Sequence, residues 1–346
     1  MIYFNDSKGT MNTMKRIAIF ILLTLSLLTA STAQQYTIKF ATLAPEGSTW
    51  INIMREYDAA IRKESGGLLG FKIYAGGAAG DEKDVVRKIR IGQYHSAGVT
   101  GTGIGEIAKA VRILDAPFLF KTPAEVDHIL TQFDGEFRKE FEANGFILLG
   151  WAEVGSVYVI SKTPVAKIND LKSIKMWEWE GDPVADALFK TVGINPIPLS
   201  FTDALTSLQT GLVTGAYSSP LAIVSLQWYA ATNYIMDYPI TNSSGAVLIS
   251  KKEYDKIPAE LQQILLKNGA FYMRKLTEQS RKDNLKSLEV LKKNKMIFVK
   301  PDANEVKTYE SVGEKTRRYL VNKLYSEDLL NRVEKSLTDF RAKGGK

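Results

Sequence analysis

The chain is predicted to be an α/β protein with its strands and helices spread over two domains. Three observations carry this reading. Its 346 residues suffice for about two domains. Between Leu171 and Pro220 the sequence runs strand, helix, extended segment, helix, strand, the rhythm of an open α/β sheet. From Pro258 to Asn294 apolar residues recur at helical spacing over a length that exceeds one small domain.

Composition narrows the function classes. Hydrophobic content of 45% and charged content of 24% suit a soluble globular chain without large disordered parts. The net charge is +7, and Lys8, Lys15 and Arg16 against Asp6 place +2 of it in residues 1–33. Elsewhere acidic and basic residues are interspersed, as from Lys251 to Glu260. No basic stripe marks a nucleic-acid partner. The absence of cysteine excludes disulfides, thiolate catalysis, cysteine zinc sites and a lipid-anchored leader.

Residues 1–33 read as a leader with a secretory signal peptide. Met14-Lys15-Arg16 is basic, Ile17 to Thr29 is apolar, and Ala30 to Ala33 offers a small-residue cleavage site. The apolar run of 13 residues is too short to cross a hydrocarbon core of about 30 Å as a helix. Residues 1–13 carry no pattern, and Met14 is the expected initiator. The mature protein is expected to be soluble and exported.

In order, Tyr36 to Thr42 alternates as a first strand, and Ser48 caps a helix carrying Trp50, Ile53, Met54 and Tyr57. Ser65-Gly66-Gly67 breaks that helix, and Phe71 to Tyr74 is the second strand. A glycine-rich turn ending in Asp81-Glu82 leads into a helix from Lys83 to Ile91. Ser96 to Thr100 is a third strand, running into Gly101-Thr102-Gly103-Ile104-Gly105. Glu106 stands where a dinucleotide fingerprint needs its last glycine, so this is read as a turn where backbone approaches something closely, a ligand being one option. Pro123 starts a helix through Phe133, followed by strands at 146–153 and 157–161.

In the central stretch Ser173 to Trp177 is a strand. Asp182 and Pro183 start a helix that Gly193 closes, and Pro196 to Pro198 is extended. Ser200 or Thr202 caps the helix Asp203 to Thr210, ended by Gly211, and Thr214 to Ser218 is a strand. Later strands are Tyr234 to Tyr238, Ala246 to Ile249 and Met296 to Val299; two helices close the chain. Gly269 is a weak point in the long helix.

Enzyme motifs are absent: there is no G-x-S-x-G, no H-E-x-x-H and no phosphate loop. His95 and His128 have no histidine neighbour for a metal site, and no metal or cofactor is implied.

Several segments together resemble the DctP-type solute-binding proteins of tripartite ATP-independent periplasmic (TRAP) transporters. They are LKSIKMW, VGINPIPLSFTDALTSLQTGLVTG followed by SSP, the glycine loop before Asp81, and APFLF at 116–120. The likeness covers about Tyr36 to Arg332. It implies a two-lobed periplasmic solute-binding fold, with crossing strands and a long lobe-spanning helix. Lobe I is expected at 36–154 plus 245–259, lobe II at 155–244 plus 295–346, and the spanning helix at 260–294.

The departures from that family define the expected ligand. Its strand arginine, which grips a carboxylate, is replaced by Trp177. Its second arginine, early in the crossing strand, is replaced by Val157, and the asparagine of its QEN motif by Ser218. A buried carboxylate without a cation costs several kcal/mol, whereas aromatic walls reward apolar surface. The expected ligand is therefore small and hydrophobic or amphipathic. Its expected lining is Trp177, Trp179, Tyr217, Ser218, Val157, Trp151, Phe118 and Thr102. The partners implied are the membrane permease subunits and, in an arginine-less branch, a periplasmic TPR-repeat protein. Two alternatives stay open. One is a lipid carrier or ligand sensor without a permease; the other is an organic-acid binder using Lys175 or Arg112 as substitute cation.

Overall fold

Residues 36–345 are described by the structure, a computed structural model, so the leader expected at 1–33 lies outside them. The first half follows the predicted alternation: β1 (Tyr36–Thr42), α1 (Thr49–Glu64), β2 (Leu69–Tyr74), α2 (Glu82–Arg90), β3 (Ser96–Thr100), α3 (Gly101–Ile107) and α4 (Pro123–Ala143). Local chemistry places the starts. Ser48 accepts from the Ile51 N–H, Asp81 from the Glu82 N–H, and Thr122 from the Glu125 N–H ahead of Pro123. β4 (Phe146–Ser161) then leads to β5 (Trp177–Trp179), α5 (Pro183–Val192), β6 (Ile197–Leu199), α6 (Ala204–Thr210) and β7 (Gly215–Ser218). α7 (Pro220–Ser225), β8 (Tyr234–Met236), β9 (Thr241–Ser250) and α8 (Lys251–Tyr254) follow. The chain ends with α9 (Ala259–Lys293), β10 (Ile297–Val299), α10 (Ala303–Leu320) and α11 (Glu327–Ala342). Among the described residues no helix is long and apolar enough to cross a membrane.

β4 belongs to both lobes. In the first lobe β2, β1 and β3 are parallel neighbours, and β9 runs antiparallel between β3 and β4. Past Val157, β4 leaves β9 and pairs with β7 on one edge and β8 on the other; β10 extends that side. The sequence predicts two strands here, and the structure joins them into one. Its register shifts between Glu153 and Gly155. Gly155, at φ 112°, lets the strand bulge and bend without ending, in a region that side chains rarely adopt.

α9 has 35 residues and is about 52 Å long. It lies on β4 and α1 in the first lobe and on α7 in the second. Asn284 fastens it at the bulge, donating to the Val154 carbonyl at 2.8 Å and accepting from the Leu221 N–H at 2.9 Å. The predicted weak point has a use. At Gly269 the helix passes so close to β4 that a Cβ would collide with the Leu149 carbonyl oxygen. Phe271 and Leu285, read as part of the apolar stripe, face outward and are exposed. Over so long a helix the buried face is the one turned to its neighbours, with Met273 and Leu276 in the first lobe and Leu291 in the second.

One domain expectation needs correction. α10 packs on α5 in the second lobe, but α11 packs on α4 in the first. Leu329, Leu330, Val333 and Leu337 form an apolar stripe buried with Ile129, Phe133 and Phe137. The turn after Leu320 carries α11 across, because that stripe matches the open face of α4.

Two glycine substitutions should separate packing from propensity. Gly269→Ala is expected to destabilise the protein by about 1–3 kcal/mol in urea unfolding, despite alanine's better helix propensity. Gly135→Ala, in α4 with open space around its position, should stabilise it by about 0.5–1 kcal/mol.

Candidate functional site

The residues between the lobes follow from two short elements. β5 pairs in parallel with β6 as a separate two-stranded sheet. Alternation then puts Trp177 and Trp179 on one face, with ring centroids 6.4 Å apart. Trp177 also packs against Tyr217 at 5.1 Å and Trp228 at 5.5 Å, and Trp179 against Phe201 at 4.7 Å. Trp177, Trp179, Tyr217 and Phe201 form one wall of a cavity of about 80 Å³, with Trp228 outside its lining. Six predicted site residues line it: Trp177, Trp179, Tyr217, Ser218, Val157 and Thr102. The strand from Ser173 starts later than predicted, at Trp177, because residues 168–173 take a 3-10 turn.

Two predicted residues are elsewhere. Trp151 packs on Phe137 and Phe141 in the first lobe, and its Nε1 donates to Asp134 at 2.6 Å. Phe118 stacks on Tyr309 at 5.7 Å in the core of the second lobe. Both side chains lie on the far sides of their elements, where helices α4 and α10 supply better apolar cover. Lys175 is exposed and does not line the cavity.

The opposite wall is polar and centres on Arg112. Its guanidinium is 2% exposed. Nε lies 2.9 Å from Asp115 and Nη2 lies 2.8 Å from Asp182, the N-cap of α5 in the other lobe. Burial opposes the charge, but Asp182 and Asp115 outweigh it and hold the Arg112 pKa above the ordinary value. Asp115 also accepts from the Ser244 N–H at 2.7 Å, tying β9 to the same cluster. The glycines of 101–105 make room for these charges. They sit inside α3, where a Cβ on Gly101 would strike Asp115 and one on Gly105 would press on Arg112 at 3.2 Å. The close approach expected of this segment is therefore to the protein's own ion pairs.

A second cross-lobe link lies nearby. Asp81 accepts from Trp179 Nε1 at 3.0 Å and from the Phe201 N–H at 2.9 Å. Behind Trp179 and Phe201 is an adjoining cavity of about 100 Å³, bordered by Trp50 and Glu82. The two cavities share Thr100, Val154, Trp179, Phe201 and Ser219. Sequence reading missed Asp115, Asp182 as an ion-pair partner, and Asn242. The helix-capping signal at Asp182 was the only local trace, since the partners of these groups are distant in the chain.

Glu82 is buried beside this site and accepts from the Thr100 N–H, the Thr100 hydroxyl and the Gly103 N–H. Burial still pushes its pKa up to about 7. A carboxyl raised in the folded state binds more protons than in the unfolded chain, so stability should fall as pH rises from about 4.5 through about 7 and level off above. Glu178, also raised to about 7 by burial, acts in the same window. Glu82→Gln is expected to flatten the pH dependence of thermal unfolding by on the order of 1–3 kcal/mol without abolishing it.

Comparison with known proteins agrees with this architecture. The model of the bacterial extracellular solute-binding proteins of family 7, DctP, matches residues 40–322. A solute-binding protein of Verminephrobacter eiseniae is 28% identical over 242 residues, covering 68% of this chain and 71% of the relative. The 2,3-diketo-L-gulonate-binding periplasmic protein of Escherichia coli is 24% identical, covering 81% of this chain and 86% of the relative. The crystal structure of the sugar acid binding protein of Advenella mimigardefordensis, in complex with galactonate, superposes with a TM-score of 0.83 at 21% identity. It covers 89% of this chain and 99% of that one. Two lobes sharing β4, a helix spanning them, and a family match over most of the chain lead to one assignment: this chain belongs to the DctP family of TRAP-type extracellular solute-binding proteins.

Proposed function

We propose that the protein is exported with its leader removed, closes its lobes on a small hydrophobic or amphipathic ligand, and delivers it to TRAP membrane permease subunits. One observation carries the ligand class. The buried cation of the cavity, Arg112, is already paired with two carboxylates, Asp115 and Asp182, and the rest of the wall is largely aromatic and aliphatic. A further carboxylate entering there would meet a cluster with a net negative charge, at a cost that burial of apolar surface does not meet for a small acid. Release follows when the closed and open states differ in affinity. The missing arginines also fit the branch that works with a periplasmic TPR-repeat partner.

A second reading keeps an organic acid as ligand. Arg112 Nη1 is buried without an acceptor, so one face of the guanidinium is still available. Relatives named for sugar acids, the diketogulonate- and galactonate-binding proteins, make this the competing class.

Native mass spectrometry of the protein purified from the periplasm, with organic extraction of what it carries, decides between them. An uncharged or amphipathic molecule supports the first reading; a sugar acid or dicarboxylate overturns it in favour of the second. Trp177→Phe should weaken binding of the extracted ligand by about five- to tenfold, the worth of one hydrogen bond. It should also lower the unfolding free energy by about 1–3 kcal/mol, because replacing a fully buried indole by a phenyl ring leaves a cavity.

A further inference from the structure

We infer that the ligand is bipartite: an oxygen-acceptor head in the Arg112 cavity and an apolar tail that passes Trp179 into the cavity behind it. The inference rests on the solute-binding reading and adds a tail subsite to it.

The two cavities differ in how far their polar groups are already satisfied. In the first, Arg112 Nη1, Trp177 Nε1 and Asn242 Nδ2 are buried donors without a partner. Their residues are 2%, 1% and 6% exposed. Buried donors of this kind are ordinarily paired, and three around one cavity call for a ligand oxygen, which an uncharged carbonyl supplies without the charge cost of a carboxylate.

The second cavity shows the reverse. Polar side chains border it, but most of them already hold a hydrogen bond within the protein. Thr42 accepts from the Ala44 N–H, Ser48 from the Ile51 N–H and Ser219 from the Ala222 N–H, while Thr49 donates to Asp283. Glu82 takes the three donors described above. What remains for a ligand is the apolar surface of Leu43, Pro45, Trp50, Val99, Leu221 and Leu226.

Size joins the two halves. Cavities of about 80 and 100 Å³ are each small for an organic ligand. They share Trp179 and Phe201 in their walls, so these aromatic rings are the apolar boundary that a tail would cross. A molecule with its acceptor on the three donors and its hydrocarbon along Trp179 uses both. A compact, uniformly polar acid uses only the first.

The test is equilibrium binding by intrinsic tryptophan fluorescence and ligand-observed NMR, with the mature full-length protein. The head-only probes are acetamide and acetate; the tailed probes are phenylpropanamide and phenylpropanoate. The tailed probes should bind at least about tenfold tighter, from the apolar area they bury. Comparison of amide with acid shows which head the donors prefer. Ala222→Phe, which fills the second cavity, should remove the gain from the tail and leave head-only binding unchanged. Leu43→Ala, which enlarges it, should favour phenylhexanamide over phenylpropanamide, and it tests the same point if Ala222→Phe fails to fold. Equal affinity for headed and tailed probes, or a tail gain untouched by both variants, overturns the inference while leaving solute capture in place. Failure of both series to bind also overturns it; solute capture itself falls only if native mass spectrometry finds no ligand either.

Discussion

A guanidinium with two carboxylates in the cleft is the constraint around which the site is arranged. Arg112 is shut away from water, and taking its charge out of solvent is costly unless carboxylates face it at close range. Asp115 meets it from the same lobe and Asp182 from the other. That requirement explains neighbouring choices. The glycines of α3 leave space for the pair, Ser244 on β9 offers its N–H to Asp115, and α5 begins where Asp182 can cap it and reach Arg112. A charge placed this way does not simply stand in for the family's carboxylate-gripping arginine. It is already paired with two carboxylates of the protein itself.

The cleft depends equally on how the lobes are joined. β4 passes through both sheets, bends at Gly155 and is held there by Asn284 of α9. The same asparagine accepts from Leu221, at the start of a second-lobe helix. Strand, spanning helix and second lobe therefore meet at one amide. Asp81 adds a bond across the cleft to Trp179 and Phe201, and Arg112 to Asp182 adds another. Arg112, Asp182, Trp179 and Phe201, which make these bonds between the lobes, are also residues of the cavity walls.

Much of this was legible in the chain. Caps at Ser48 and Asp182, the glycine stops at Gly193 and Gly211, and the pairing of Trp177 with Trp179 on one face are local signals, and the structure keeps them. Misreadings came where a distant partner decides. Phe118 is an aromatic residue in an expected segment, but it finds its cover on a helix far along the chain, whereas Trp151 is covered by the helix just before its own strand. Gly269 looks like a flaw by helix propensity and is the point of closest approach to β4. The last helix crosses to the first lobe because its apolar stripe finds an uncovered face there.

The sequence by itself determined the α/β alternation, the long helix and the family, because these rest on periodicity, caps and ordered motifs that need no knowledge of contacts. Only the tertiary structure decided that Arg112 lies in the cleft between Asp115 and Asp182, and that an apolar cavity adjoins it behind Trp179. The reason is physical: the charge of a site is the sum over side chains brought together from both lobes, and no local pattern in the chain records which of them will meet.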